Sequence, residues 1–393
     1  MRDRLAEAGV ETVVVDVGVL GEPPFEPDVS AAEVARLGGT ELQELRFARE
    51  GSDTRAVALA TMARGAAVVL ARLRFERRCD SVLGLAGSSG SSVIAEAMRT
   101  LPIGVPKLLV TTMIGTSAAD YVGTTDLVLA SPVTDIAGLN RVSRAILTNA
   151  ARAIAGMAGA PPPGVAEERP LVALTMMGVT TPCVLAVQKG LEEGGFETIV
   201  FHAVGTGGRA MERMVADGLV DAVCDLTTHE LTDHLLGGIF GTGPERMSAA
   251  AERGLPLVAV PGAVEFLNFG PRDTVPAHLD VPDRRIVIHN PSVCAVRLTA
   301  DEAARVGRVF AEKVNAARGP AAVVLPLRGC SSYELADGPF VDEKADAALF
   351  EAVRSALRRD VPLREVDANV NDPEVAEVVL AAFDEVWGRR RDR

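Results

Sequence analysis

The chain has 393 residues, enough for two domains of ordinary size, and its residues are 48% hydrophobic but only 4% aromatic. This composition indicates aliphatic cores of the kind found in α/β proteins. The formal net charge of −13 excludes broad binding to nucleic acid or to an anionic membrane, because both need a basic surface. We therefore expect no nucleic acid and no membrane among the partners.

The cysteines are far apart and form no C-x-x-C pair, which favours buried free thiols in a reducing cytoplasm over disulfides or a zinc knuckle. The charged residues of segment 1–9 argue against a signal peptide. The longest uncharged run, 170–188, is interrupted by Gly178 and Pro182, so it predicts strand, turn and helix rather than a membrane span. We predict a cytoplasmic protein.

The first half of the chain alternates helical and strand patterns. Helices are predicted at 2–8, 53–74, 93–99 and 139–157, and strands at 12–17, 82–86, 107–111 and 127–130, with a proline-rich loop at 21–27 and a small polar segment at 111–126. Because doubly wound domains normally begin with a strand, we expect the first strand of this domain to be missing.

The second half repeats the alternation after a proline-rich stretch. Segment 161–169 predicts a linker between an N-terminal domain, 1–160, and a C-terminal domain, 170–393. Beyond it, strands are predicted at 171–176, 198–203, 220–224, 257–260, 286–289, 321–325 and 363–366, and helices at 182–193, 210–217, 300–317, 342–357 and 373–386. The predicted fold class is α/β, with two Rossmann-like domains, each a mostly parallel sheet flanked by helices.

The turn after strand 82–86 is the first candidate binding site, and its residues are Gly87, Ser88, Ser89, Gly90 and Ser91. A strand, a small-residue turn and a helix start present free N–H groups at the positive end of a helix dipole, which favours a phosphate or carboxylate. Two other interpretations stay open. The turn could serve only close packing, or, since it lies one residue from a G-x-S-x-G elbow, Ser88 could be a nucleophile.

A second glycine turn follows strand 198–203 and repeats this arrangement with an arginine beside it. Its residues are Gly205, Thr206, Gly207, Gly208 and Arg209. One turn in each domain suggests a ligand held in the cleft between the domains, again with a packing turn as the alternative.

Further polar residues follow predicted strands or lie in long loops, where open α/β sheets hold ligands. Possible ligand contacts are Asn140, Glu230, Asn268, Arg272, His289 and Arg328. Asp120, Asp126 and Asp135 could bind Mg²⁺ beside a phosphate. The segment from His229 resembles the start of a zincin motif, but His234 is one residue too late to lie on the same helix face, so zinc is disfavoured.

Several motifs together resemble one known family. They include LGLAGSSGSSVIAEAMRTLPIGVPKLLVTT, YVGTTDLVLASPVTDIAGLNRVSRAILTNAA, FHAVGTGGRAMERMVADGLVDAVCDLTTHEL, NFGPRDTVP, HNPSV and PLRGCS. The family is an uncharacterised two-domain family of bacteria, fungi and plants that includes the N-terminal inhibitory domain of the tomato mosaic virus resistance protein. The resemblance covers essentially the whole chain and implies two Rossmann-like domains, ATP binding and a homodimer.

This sequence departs from the family pattern in three places. The family usually has a further strand and a Gly-Thr-x-Asp-Thr-Lys turn before the first helix. Its glycine turn reads G-L-G-G-S-G-G-T, whereas Ala86, Ser89 and Ser91 stand here in place of Gly, Gly and Thr. Segment 113–120 also differs.

We therefore expect a nucleotide-binding protein with ATP as cofactor or ligand, together with Mg²⁺ if phosphoryl chemistry occurs. The alternative is a hydrolase or transferase acting on a small phosphorylated or carboxylated metabolite. A third function is a binding module that responds to nucleotide and presents a surface to a protein partner.

Overall fold

The computed structural model describes residues 1–47, 52–159 and 169–390. The chain divides into two compact units, Met1–Ala166 and Glu167–Arg393. Of the predicted linker 161–169, all but Arg169 lies outside the described residues.

The N-terminal unit is built on a parallel sheet in which β2 lies between β1 and β3. Alternate residues of β2 face opposite helical layers, since Leu108 and Val110 pack with α1 and α7, while Leu109 packs with α5 and α6. The elements are α1 (Arg2–Glu7), α2 (Ala31–Leu37), α3 (Leu42–Phe47), α4 (Ser52–Phe75), β1 (Val82–Ala86), α5 (Ser88–Arg99), β2 (Lys107–Thr111), α6 (Ile114–Val122), β3 (Val128–Ala130) and α7 (Arg141–Gly159).

The C-terminal unit contains a six-stranded parallel sheet of order β12-β11-β7-β6-β4-β5 and a three-stranded antiparallel sheet of order β8-β10-β9. Its elements are β4 (Leu171–Met176), α8 (Thr181–Glu193), β5 (Glu197–His202), α9 (Thr206–Ala216), β6 (Ala222–Asp225), α10 (His229–Leu236), α11 (Ala249–Arg253), β7 (Leu257–Ala259), β8 (Phe266–Phe269), β9 (Ile286–Asn290), β10 (Val293–Arg297), α12 (Ala300–Asn315), β11 (Ala321–Pro326), α13 (Glu343–Ala356), β12 (Leu363–Val366) and α14 (Pro373–Arg389).

The parallel sheet of this unit has a reversal point between β4 and β6. The chain passes from β4 outward to β5 and then returns across β4 to β6. Open α/β sheets bind ligands beyond the carboxyl ends of the strands at such a point. Helices α8 and α14 cover one face of the sheet, and α9, α11, α12 and α13 cover the other.

The predicted fold class is confirmed: the protein is α/β, with mostly parallel sheets flanked by helices in two units. The strand predicted at 12–17 is wrong, because that segment forms only one bridge, between Val15 and Val29. The segment 111–126 contains helix α6, and strand β9 belongs to the antiparallel sheet, which the sequence pattern did not reveal.

Among the described residues, one helix is long and apolar enough to cross a membrane by length and composition alone. It is the Arg55–Phe75 part of α4. One face of this helix is buried against α2 and α5, with Met62 and Val69 fully covered, so it serves as a core helix of its unit. The uncharged run 170–188 forms β4, a 3-10 turn and α8, as predicted.

Candidate functional site

The first glycine-serine turn lies where β1 ends and α5 begins. The helix starts at Ser88 and not at 93 as predicted, with Gly87 in extended conformation as its N-cap and no side chain capping it. Ser88, Ser89 and Gly90 therefore form the first helical turn, whose N–H groups have no acceptor within the helix. This turn directly follows the carboxyl end of β1, and its role in binding an anion stays a prediction.

Glycine is required at different positions of this segment for different physical reasons. A Cβ on Gly84 would lie 2.5 Å from Ile94, and one on Gly90 would lie 2.8 Å from the Cβ of Ala86, so both allow α5 to pack closely on β1. A Cβ on Gly87 would meet only the hydroxyl of Thr112, at 3.9 Å. Packing thus explains Gly84 and Gly90 but not Gly87, which leaves room for a ligand to approach its backbone.

The serines of the turn also divide by role. Ser91 is fully buried, and its hydroxyl lies 2.7 Å from Oγ1 of Thr111 and 3.2 Å from the carbonyl oxygen of Ala86, which ties α5 to β1 and β2. Ser88 is exposed and Ser89 is half-buried. Ser91 is therefore not available as an anion contact, because its hydroxyl makes these internal contacts and its N–H is used within the helix. Ser88 and Ser89 face outward.

Arg55 lies beside the turn, although it is 34 residues away in the sequence from Ser89. Its guanidinium donates a hydrogen bond of 2.5 Å to the Ser89 hydroxyl, and the side chain is exposed. The structure thus places a cation at the positive end of the α5 dipole. Sequence reasoning missed Arg55, because nothing in the pattern of α4 connects its start to the turn after β1.

The second glycine turn, after β5, is already filled by a carboxylate of the protein. Oε1 of Glu230 accepts hydrogen bonds from the N–H groups of Gly205, at 2.6 Å, and Gly208, at 3.0 Å. A Cβ on Gly208 would lie 1.9 Å from Oε2 of Glu230, so this glycine is required by the internal contact. Gly205, Gly208 and Glu230 are not available to an external phosphate in this structure, whereas Thr206 and Arg209 are exposed.

Glu230 is held in place by Arg246, whose side chain is fully buried. The Arg246 guanidinium donates to Oε2 of Glu230 at 2.7 Å and forms a two-pronged ion pair with Asp225 at 2.5 and 2.8 Å. Burial lowers the pKa of Arg246, but Asp225 and Glu230 outweigh it and raise the pKa overall. Burial raises the pKa of Glu212, which lies 3.5 Å from the same guanidinium.

This ionic cluster lies at the reversal point of the parallel sheet. Asp225 ends β6, and its Oδ1 accepts a hydrogen bond from Thr175 of β4 at 2.7 Å, while Thr227 lies next to Thr180 at 2.7 Å. The position where this fold usually binds a ligand is thus occupied by Arg246 and its partners. Local sequence does not reveal this ionic cluster, because an isolated arginine in a polar segment is typical of a surface residue.

Two of the predicted ligand contacts form exposed ion pairs. Arg272 donates to Asp280, with Nη1 2.8 Å from Oδ2, and Arg328 donates to Asp367 at 2.7 Å. Neither arginine is buried, and each is separated from the two glycine turns in the sequence. Their roles as ligand contacts stay predictions.

Two others have structural partners. Asn140 caps α7, because its side-chain oxygen accepts the N–H groups of Val142 at 2.9 Å and Ser143 at 3.0 Å. Asn268 is buried in β8 and donates to the carbonyl oxygen of Cys294 at 3.2 Å. Helix capping accounts for Asn140 without a ligand, whereas the side-chain oxygen of Asn268 is buried and has no hydrogen-bond partner among the described residues, so its role as a ligand contact stays a prediction.

The histidines bear on the serine-hydrolase interpretation, since all five lie at positions 202 to 289, in the C-terminal unit, whereas Ser88 is in the N-terminal unit. His229 is fully buried with Nδ1 2.7 Å from the carbonyl oxygen of Ala263. His289 is exposed and lies 2.9 Å from the Tyr333 hydroxyl. A histidine base for Ser88 is therefore absent from its own unit.

The aspartates predicted to bind Mg²⁺ do not come together. Asp126 lies at the opposite, amino-terminal edge of the sheet, where it pairs with the buried Lys107 at 2.6 Å and accepts the N–H of Gly104. Burial raises the pKa of Asp126, but the bonds from Lys107 and Gly104 outweigh it and lower the pKa overall. Asp120 lies near the end of α6, and Asp135 is exposed in the loop after β3.

Two family models together match nearly the entire chain. The model described as the uncharacterised protein family (UPF0261) N-terminal domain matches residues 1–163, and the C-terminal domain model of the same family matches residues 169–387.

Relatives come from bacteria and from tomato. A UPF0261 protein of Clostridium tetani is 38% identical over 96% of this chain and 92% of the relative, and protein RA0729 of Rhizobium meliloti is 39% identical over 96% and 93%. The ToMV resistance protein Tm-1(GCR237) of Solanum lycopersicum is 36% identical over 86% of this chain, which spans 46% of the tomato protein. A Streptomyces glycosyltransferase structure, SsfS6 with thymidine diphosphate, is 14% identical with a TM-score of 0.17, too low to indicate a shared fold.

Proposed function

The chain belongs to the uncharacterised protein family UPF0261. We propose that it binds a phosphorylated anion, with ATP as the candidate, at the turn between β1 and α5. The observation that carries the proposal is the pairing of Arg55 with Ser89 at the start of α5. The remaining groups of the site are the outward N–H groups and hydroxyls of the first helical turn.

The electrostatics of the turn favour an anion. The N-terminus of a helix carries about half a positive charge, and Arg55 adds a full one, so the two repel each other unless a negative group lies between them. Most arginines near helix ends avoid this arrangement and lie at the C-terminus. A phosphate between the guanidinium and the Ser88 and Ser89 N–H groups removes the repulsion and forms charge-assisted hydrogen bonds.

The geometry of the turn suits a phosphate. Gly87 leaves its backbone open, Ser88 is exposed, and Thr112 places a further hydroxyl close to Gly87 from the end of the neighbouring strand. A tetrahedral phosphate has several acceptor oxygens for this set of donors, whereas a carboxylate has two. The groups described at this turn are donors and a cation, which supports binding rather than turnover.

Fewer residues of the second turn can contact the ligand than the sequence predicted. Because Glu230 occupies the N–H groups of Gly205 and Gly208, only Thr206, Gly207 and Arg209 are left as candidates for contact with the same ligand. The placement of the ligand between the two domains, the homodimer, and Mg²⁺ brought with ATP stay proposals that the sequence prediction supports.

Isothermal titration calorimetry with ATP, ADP, AMP and adenosine tests the proposal on the full chain, with and without Mg²⁺. We expect affinity to increase with the number of phosphates and Arg55→Ala to weaken ATP binding at least tenfold, since a hydrogen bond to a charged group contributes about 1.5–3 kcal/mol. Arg72→Ala is the matched control, because Arg72 is an exposed arginine of the same helix that pairs with Glu33.

Equal ATP affinity in the Arg55 and Arg72 variants would contradict the proposed site. Chromatography of the nucleotide after incubation separates a binding module, which leaves ATP intact, from the alternative hydrolase or transferase.

A further inference from the structure

A second cluster of buried polar side chains lies in the C-terminal unit, after β7 and β11. Glu265, Cys330 and Glu334 are all buried, and each offers a ligand atom within 4.8 Å of the others. Strands β7 and β11 are parallel neighbours, so the segments that follow them leave the same edge of the sheet. A hydrogen bond of 2.8 Å from the Ala263 N–H to the Cys330 carbonyl oxygen ties the two segments together.

Glu265 has one carboxylate oxygen without a partner. Its Oε1 accepts the hydroxyl of Ser331, whereas its Oε2 has no hydrogen-bond partner among the described residues. The side chain is only 1% exposed, so solvent does not reach it freely. A buried carboxylate oxygen in this state needs a proton or a cation.

The cluster also has more negative than positive groups. The buried guanidinium of Arg297 bonds to Oε1 of Glu334 at 2.7 Å and to Asp346, and its remaining N–H groups point to the backbone oxygens of Phe340 and Glu265. Arg297 thus pairs with the carboxylates of Glu334 and Asp346, whereas it reaches only the backbone oxygen of Glu265.

We propose that Glu265, Cys330 and Glu334 hold one divalent transition-metal ion, with Zn²⁺ as the first candidate. Two carboxylates and a thiolate suit a borderline ion such as Zn²⁺, whereas Mg²⁺ and Ca²⁺ take oxygen ligands alone. Around tetrahedral Zn²⁺ the oxygen and sulfur ligands lie about 3.5 Å apart, and the three ligand atoms of the cluster lie within 4.8 Å of one another. The ion would join the segments after β7 and β11, and three protein ligands leave the fourth tetrahedral position to a water molecule.

The surrounding hydrogen bonds orient the ligands. Oε2 of Glu334 accepts the Cys330 N–H at 2.6 Å, and Arg297 and Ser331 hold the two carboxylates from the outside. Metal sites in proteins usually have such supporting contacts.

Metal analysis of the full chain, purified without a histidine tag, tests the site. After exposure to Zn²⁺ and gel filtration, we expect about one Zn²⁺ per chain by mass spectrometry in the wild type and only trace metal in Cys330→Ser. Cys183→Ser is the matched control, because Cys183 is also a free and fully buried thiol but lies in α8. It should bind as much Zn²⁺ as the wild type.

Cobalt substitution identifies the sulfur ligand. Co²⁺ bound to a thiolate gives a charge-transfer band in the near ultraviolet, which we expect in the wild type and in Cys183→Ser but not in Cys330→Ser. Glu265→Gln covers the case in which the Cys330 variant does not fold, because Zn²⁺ should raise the melting temperature of the wild type and not that of the amide variant. A wild type that takes up only trace Zn²⁺, or a cobalt band that persists in Cys330→Ser, would overturn the proposal in favour of a shared proton.

Discussion

Replacing Arg246 with methionine should lower the free energy of unfolding of the C-terminal unit by about 3–5 kcal/mol, the usual effect of removing one partner from a buried ion pair. The size of this loss follows from the contacts that the Arg246 guanidinium makes. Asp225 and Glu230 are at most 1% exposed, and both lose their cation, while methionine fills a similar volume. The loss is therefore one of charge compensation rather than of packing.

Urea unfolding followed by circular dichroism measures this loss of unfolding free energy, and a variant of an exposed ion pair serves as the comparison. Arg354 pairs with Glu365 at 2.5 Å, with both side chains about a third exposed, so Arg354→Met should cost at most about 1 kcal/mol. Equal losses of unfolding free energy in the two variants would refute the reasoning.

Three further predictions concern the turn, a buried histidine and a helix cap. Gly90→Ala should lower the free energy of unfolding by roughly 1–3 kcal/mol in urea unfolding, because the added Cβ would collide with Ala86. Gly87→Ala should leave the free energy of unfolding unchanged but weaken ATP binding in calorimetry, because its Cβ would enter the space left for the ligand. Burial lowers the pKa of His229, but the carboxylate of Asp233, 3.5 Å away, outweighs burial and raises the pKa overall. The stability that protonated His229 contributes is therefore present below pH 6.5 and is lost as the pH rises through the pKa of the folded state. His229→Gln should flatten that part of the plot of unfolding free energy against pH. Asn140→Ala should cost about 1 kcal/mol, seen as faster amide exchange at the start of α7.

The strands of the parallel sheets were the easiest part to predict. The runs that became β1, β2 and β4 are short, apolar and bounded by turn residues, which is the pattern of a strand buried on both faces. The β-branched run at 12–17 has the same local character but no neighbouring strand to complete a ladder. Strand formation there would depend on a partner, which local sequence does not reveal.

The elements that the sequence did not reveal depend on tertiary contacts. Helix α6 contains Gly115, Thr116 and Ser117, which are weak helix formers, and it is stabilised by burial of Tyr121. Strand β8 lies within a segment rich in glycine and proline and is defined by pairing with β10. Local propensity favours a loop in both cases.

The candidate site was predictable in its backbone and not in its side chains. A strand followed by glycine and serine indicated a helix start with free N–H groups, and that part depends on local sequence alone. Arg55 could not be assigned to the turn, nor Glu230 and Arg246 to the second turn, because each contact joins segments that are far apart in the sequence. A glycine turn therefore indicates an anion-binding position, but local sequence does not indicate whether the anion is an external ligand or a carboxylate of the protein itself.

The most direct measurement is the response of single backbone amides to ATP in TROSY spectra of the isotope-labelled full chain. The account predicts saturable downfield shifts of the Ser88, Ser89 and Gly90 amides, with those of Gly205 and Gly208 unchanged because Glu230 holds them. Shifts at Gly205 and Gly208, with none at the first turn of α5, would contradict it.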